Sequence, residues 1–324
     1  MLELLIANKK TGGMWNVINA TESVQLETHR TGSPSKLTFK WIKTSEEVSF
    51  LEGDIVRFSV DGQVQFYGWV FTKTKDRWNV FDVVCYDRIR YLKNSGSYAF
   101  YNMSAGDILT QIAEDFQVGI GEVADTGYKI PSLIESNKPC IDIIQDALNQ
   151  TLLNTGKVFC LYDNGTGLSL KYVGDWKSNV VIGDRSYLTD YTYKTDIDSD
   201  TYNSVKVVMA NQQTGVNEVV VAQDSANIAK WGMLQLYQTL NGDYNTAQMS
   251  VQATQTLKAF NRRHRYLTFE SLGVLGLRAG MMVRMYIPGM GDIDLDQYVL
   301  LDRVTHTWTN GEHMMECEAV DFDV

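Results

Sequence analysis

Four histidines, His29, His264, His306 and His313, are the first side chains to test for catalysis or metal binding. None sits in an HExxH sequence, and no two are spaced as metal ligands on one element. His306 lies in the alternating run Val304-Thr305-His306-Thr307-Trp308, which predicts a surface or half-buried structural histidine in a strand. His264 belongs to Arg262-Arg263-His264-Arg265, just beyond a predicted helix, where cations complement the C-terminal dipole. The same charge suits the docking of an acidic neighbour, so Arg262, Arg263 and Arg265 are the interaction candidates.

Two acidic runs, Asp196-Ile197-Asp198-Ser199-Asp200 and Asp292-Ile293-Asp294-Leu295-Asp296, imitate calcium loops. An EF-hand loop needs Gly at its sixth position and Glu at its twelfth; here stand Thr201 and Val207, and Gln297 and Arg303. Both read as solvated acidic loops. Gly119-Ile120-Gly121-Glu122-Val123-Ala124 imitates a dinucleotide fingerprint, but that motif must join a strand to a helix. Following a predicted helix, this stretch reads as a loop. There is no Gly-x-Ser-x-Gly and no Walker A sequence, and nothing singles out a carboxylate pair for glycoside hydrolysis. Cys85, Cys140, Cys160 and Cys317 form no CxxC pair and read as buried free thiols. Seven scattered tryptophans read as core and interface packing. The expectation is a non-enzymatic chain with no catalytic, cofactor-binding or metal-binding residue.

The elements that hold these residues come from a chain of 324 residues, 44% hydrophobic and 21% charged, a globular composition. The net charge is −10, and between Arg284 and Val324 nine acidic residues, the last being Asp321 and Asp323, face two arginines. Such a chain repels a phosphate backbone, which argues against tight nucleic-acid binding. No run of 18 apolar residues occurs, and the N-terminus lacks the basic region of a signal peptide, so the expectation is a soluble protein of a reducing compartment, or one exported by a route other than the usual one.

Residues 1–100 read as short antiparallel strands in a barrel or sandwich: 24–28, 37–41, 55–58, 66–71 and 80–86, with Asp61-Gly62 as a hairpin turn. Residues 101–176 read as a small α+β domain. Ser104 with Asp107 forms a capping box for a first helix. Pro139 opens a second, with Ile141, Ile144, Ala147, Leu148 and Leu152 inward, and Gly156 closes it before a hairpin over 158–172. Residues 177–324 return to strands, with helices over 224–230 and 246–261, the latter with Met249, Ala253, Leu257 and Phe260 inward.

The last stretch repeats the first. Gly53-Asp54-Ile55-Val56-Arg57-Phe58 has a counterpart in Gly280-Met281-Met282-Val283-Arg284-Met285, Phe66–Thr72 in Tyr298–Val304, and Asp82–Asp87 in Glu316–Asp321. The expected fold class is therefore mainly β with an α+β insertion.

The run Leu51–Asn94, Ala124–Ile130 (ADTGYKI), Asp146–Lys157 (DALNQTLLNTGK), Ile228–Gly232 (IAKWG) and Leu277–Gly280 (LRAG), in this order, resembles the XkdQ-type baseplate hub of PBSX-like prophages and related contractile tails. That resemblance, which extends to late-control D proteins and the hub part of type VI spikes, implies two tube-like β-barrel domains flanking the small α+β domain. It implies a homotrimer whose six similar units join a hexameric tail tube to a trimeric central spike in the baseplate of a phage or tail-like bacteriocin. The expected partners are further copies of the chain, the tail tube protein, the central spike protein and other baseplate proteins, without cofactors. The tail particle would be assembled in the bacterial cytoplasm. A different reading of the same surroundings is a tail-associated peptidoglycan hydrolase or cell-wall-binding module.

Overall fold

The structure is a computed structural model that describes residues 1–45, 47–210, 217–240 and 245–320. Asp321 and Asp323, counted above among the C-terminal acids, lie outside the described residues. The chain divides into two compact units, Met1–Thr192 with Leu267–Val324, and Tyr193–Tyr266.

The protein is mainly β, and one strand order occurs twice along the chain. Strands Thr21–His29, Lys36–Ile42, Val80–Tyr86, Gln63–Lys75, Ile55–Val60 and Leu2–Ala7 are neighbours in that sequence. Strands Leu188–Asp196, His264–Leu272, Glu312–Val320, Ile293–Thr309, Met282–Met290 and Lys177–Gly183 repeat it. The two modules differ in their last pair: Leu2–Ala7 is antiparallel to its neighbour, Lys177–Gly183 parallel. They join edge to edge, because Arg303–Thr309 pairs with His29–Ser23.

Burial follows the repeat. Val56 and Phe58 are fully buried, as are Val283 and Met285, with polar Arg57 and Arg284 between them on the opposite face. Val83 and Cys85 correspond to Cys317 and Ala319. The strand register corrects one sequence match by a residue: Val56 faces Gly68 and Val283 faces Val299, so Phe66 corresponds to Gln297, not Tyr298. Character alone could not fix this register, since a one-residue slip exchanges the two faces of a strand.

The α+β region forms as its caps predict. Helix α1 (Ala105–Asp115) carries the full Ser104–Asp107 capping box, and α2 (Cys140–Thr155) ends at Gly156 with φ 71°. Their apolar faces share a core with Phe100, Ile130 and Leu168, whereas Leu152, expected inward, is 39% exposed. Ile120–Val123, expected as a loop, is a strand parallel to Leu168–Tyr172. Its backbone runs so close to Gly167 that any side chain there would collide with Ile120.

In the second unit, Ser204–Ala210 pairs antiparallel with Asn217–Gln223 and parallel with Gln235–Leu240. Helix α3 (Ser225–Trp231) is capped by Asp224. Helix α4 (Thr246–Phe260) covers one sheet face, packing Met249 and Ala253 on Val205 and Val207. Phe260, expected inward, instead lies at the helix end against the ring of Tyr202.

Candidate interaction surface

Strand entry in the two modules uses the same turn. In Leu51-Glu52-Gly53-Asp54, Gly53 has φ 89° and the Asp54 amide donates to the Leu51 carbonyl at 3.1 Å. In Arg278-Ala279-Gly280-Met281, Gly280 has φ 90° and the Met281 amide donates to the Arg278 carbonyl at 3.2 Å. A left-handed third residue is the demand of a type II turn, which glycine meets without strain. Each glycine amide then donates to the long strand, Gly53 to Val70 and Gly280 to Leu301.

The second turn is held at every residue. The Leu277 carbonyl accepts from His306 Nε2 at 2.7 Å, and Arg278 Nη1 donates to the Asp163 carbonyl at 2.9 Å. The Ala279 amide donates to Thr28 Oγ1 at 3.0 Å. These contacts supply a physical reason for the Leu277-Arg278-Ala279-Gly280 motif. They bring together the first module, the second module and the 159–172 hairpin.

Beside it lies a buried charge cluster that the sequence did not reveal, because Asp163 stands 75 residues from its partner Arg88 in the chain. The Asp163 side chain, 2% exposed, takes two hydrogen bonds from Arg88 Nη1 and one from the Arg88 amide. Asp87 accepts from the amides of Ser35 and Ile89. Burial, with the Asp163 charge beside it, pushes its carboxyl up to about 7.

Arg88–Lys93 is a 3₁₀ segment, whose three-residue period sorts its side chains. Ile89 and Leu92 point into the α+β core. Arg88 and Tyr91 line a cleft with Trp69 and Phe116. Arg90 and Lys93 line another with His29, Lys36 and Tyr86. An aromatic ridge connects the clefts, from Trp69 to Tyr91 at 5.5 Å, to Phe71 at 6.0 Å and on to Tyr86 at 5.4 Å. Such mixtures of Trp, Tyr and Arg are enriched in protein interfaces.

The residues named from sequence fall elsewhere. In the second unit, Arg262 and Arg263 are exposed between α4 and strand His264–Leu272, and the Arg262 carbonyl accepts from the Thr201 hydroxyl. Arg265 is half-buried, with an enclosed Nε that has no hydrogen-bond partner among the described residues. His306 is 3% exposed, deeper than expected, and its Nδ1 lies 2.9 Å from His313 Nε2. Because Nε2 donates to Leu277, Nδ1 accepts from His313. Burial holds both rings down to about pKa 4. Among the described residues no group of three His, Cys, Asp or Glu is placed to hold a metal ion. Asp196 instead accepts from the amides of Asp198 and Ser199 within its own turn, and Asp294 from the amide of Gly289. All four cysteines are buried free thiols.

Comparison with known proteins decides the relationship. The profile of the YqbQ-like family matches residues 24–319. The phage-like element PBSX protein XkdQ of Bacillus subtilis is 32% identical over 93% of this chain and 92% of its own length. The chain belongs to the YqbQ-like family. The chain shares this fold with tail proteins of much lower identity. The 43 kDa tail protein of prophage MuSo2 from Shewanella oneidensis is 11% identical, covers 98% of both chains and superposes with a TM-score of 0.71. The E. coli c3393 protein, a component of the type VI secretion system with structural similarity to the T4 tail proteins gp27 and gp5, is 8% identical with a TM-score of 0.58, over 100% of this chain and 77% of its own.

Proposed function

We propose that this chain is the structural hub of a contractile-tail baseplate, in a phage or a tail-like bacteriocin, where three copies form a ring between the hexameric tail tube and the trimeric central spike. The observation that carries this reading is the strand order found twice in one chain. Two modules in each of three chains present six similar units around one axis. Such a ring meets a sixfold tube on one side and a threefold spike on the other with repeated contacts. Kinship with XkdQ and the fold shared with tail proteins support the same reading.

In this reading residues 1–100 and 177–324 each build a tube-like β-barrel domain, the second carrying Tyr193–Tyr266 as an insertion, and 101–176 is the small α+β domain. Arg262, Arg263 and Arg265 dock an acidic face of a neighbouring tail protein. The ring works through geometry, without cofactor, chemical step or specific nucleic-acid contact. It resides in the tail particle, assembled in the bacterial cytoplasm. No helix among the described residues is long and apolar enough to cross a membrane.

Antibody labelling of purified tail particles tests this directly. Label at the baseplate end, lost with the gene, is expected; particles complete without the protein would contradict it. The competing peptidoglycan-hydrolase reading predicts clearing of bacterial cell walls in a zymogram, abolished by substitution of one carboxylate. The hub reading predicts no clearing.

A further inference from the structure

The aromatic ridge on the first module ends in two clefts of opposite character. Trp69 and Phe71 stand on one face of strand Gln63–Lys75, either side of buried Val70, and Tyr86 lies opposite Trp69 on the next strand. Tyr91 of the 3₁₀ segment packs against both Trp69 and Phe71. All four rings are only half-buried, and none belongs to the core of the first module or of the α+β region.

At one end, the cleft walled by Trp69, Arg88, Tyr91 and Phe116 encloses about 310 Å³. Its one charged side chain, Arg88, is neutralised by Asp163 and lies over the rings of Tyr67 at 5.1 Å and Trp69 at 5.4 Å. That end has no charge left to satisfy, and its aromatic walls suit a bulky apolar side chain. At the other end, a cleft of about 170 Å³ gathers Lys36, Arg90 and Lys93 around one acid, Glu27. Glu27 is already occupied, accepting from His29 Nε2 at 2.8 Å and standing 3.4 Å from Lys36 Nζ. Arg90 and Lys93 form no ion pair among the described residues. In a chain of net charge −10, this cleft is a local excess of positive charge.

We propose that this surface docks an extended segment of another protein, one that sets a bulky apolar side chain in the first cleft and carboxylates in the second. The ridge limits their separation. Its steps of 5.5, 6.0 and 5.4 Å are spanned by about five residues of extended chain, at about 3.3 Å each. Arg90, over the Phe71 ring at 5.4 Å, joins the ridge to the basic cleft. Aromatic walls alone would also suit a sugar ring, and a basic cleft alone a phosphate; the two at one spacing call for a peptide carrying both features. The contact is to a different protein and does not depend on how many copies form the ring.

Panning a random peptide library on the wild-type protein, with counter-selection on an Arg90→Glu, Lys93→Glu variant, tests the docking. Both residues lie on a short segment whose inward side chains are Ile89 and Leu92, so the charge variant keeps the core. Enriched peptides are expected to carry a large apolar residue with a pair of acids about three to five positions away. A synthetic copy should bind the charge variant at least about tenfold more weakly and lose affinity as salt rises. Trp69→Leu, which keeps apolar bulk but removes the ring, should weaken binding about fivefold. No enrichment, peptides lacking either feature, or equal binding to wild type and the charge variant overturns the docking. An oligonucleotide of matching charge that competes as well as the peptide also overturns it, assigning the surface to a phosphate backbone. Self-association of the wild type that the charge variant lacks overturns it in favour of a second copy.

Discussion

Gly53 and Gly280 do the same work in two halves of one chain: each turns at a φ near 90° and donates its amide to the long strand of its module. Their surroundings differ. A side chain at Gly53 meets nothing within 4 Å, whereas one at Gly280 strikes Cys160 Sγ at 2.4 Å. Gly53→Ala is therefore expected to cost only the left-handed backbone penalty, about 1–2 kcal/mol. Gly280→Ala should cost at least about 1 kcal/mol more through overpacking. Urea denaturation of the two variants measures the difference, and equal losses would contradict this account of the turns.

Trp308 ties the modules together. It lies on the second module's long strand, yet packs into the core of the first, edge-on to Phe58 at 4.8 Å. Trp308→Ala should destabilise the first unit by about 3–5 kcal/mol. Trp308→Phe should cost much less, because the indole Nε1 is buried without a hydrogen-bond partner among the described residues and its loss strands no acceptor there. Thermal unfolding of both variants tests the ranking.

Asp163 holds the α+β hairpin to the 3₁₀ segment through Arg88. Asp163→Ala leaves a largely buried guanidinium without its carboxylate and is expected to cost about 3–5 kcal/mol. Replacing Arg88 by Met in the same chain should recover part of that loss. A double-mutant cycle reads the coupling, and a value near zero would show the pair to be passive.

Acid should destabilise the protein through His306. Its ring is neutral in the fold, held at about 4, whereas in the unfolded chain it protonates near the ordinary value of about 6.5. Between these values the unfolded state binds a proton that the fold refuses, so stability falls as pH drops from about 6.5 to about 4. The loss is about 3 kcal/mol and is complete below that window. Asp87, whose carboxyl is raised to about 7, acts in the opposite sense, losing stability as pH rises from about 4 to about 7. His313, also held at about 4 and in contact with His306, acts in the same sense, so His306→Gln removes the His306 contribution together with its influence on His313: the variant's stability should be less acid-sensitive across that window.

Local signals carried most of the elements. The Ser104–Asp107 box and Gly156 set helix ends by contacts within a few residues, so spacing alone located them. The repeat was legible in Gly53-Asp54 and Gly280-Met281 because a left-handed turn leaves a glycine in the sequence. Leu2–Ala7 and Gln235–Leu240 were missed, since their pairing partners are distant in sequence or lack a hairpin turn. The Ile120–Val123 strand exists through a parallel contact that only the fold creates. The Arg88–Asp163 pair and the Trp69–Tyr91–Phe71 ridge were equally hidden, because no sequence period links their members.

The central claim is that three two-module chains make one ring, and the mass of the assembled protein tests it most directly. Native mass spectrometry of the purified chain, alone and with its neighbouring spike protein, should show three copies in at least one condition. Rings of six copies, or a monomer that persists even with the spike, would contradict the hub.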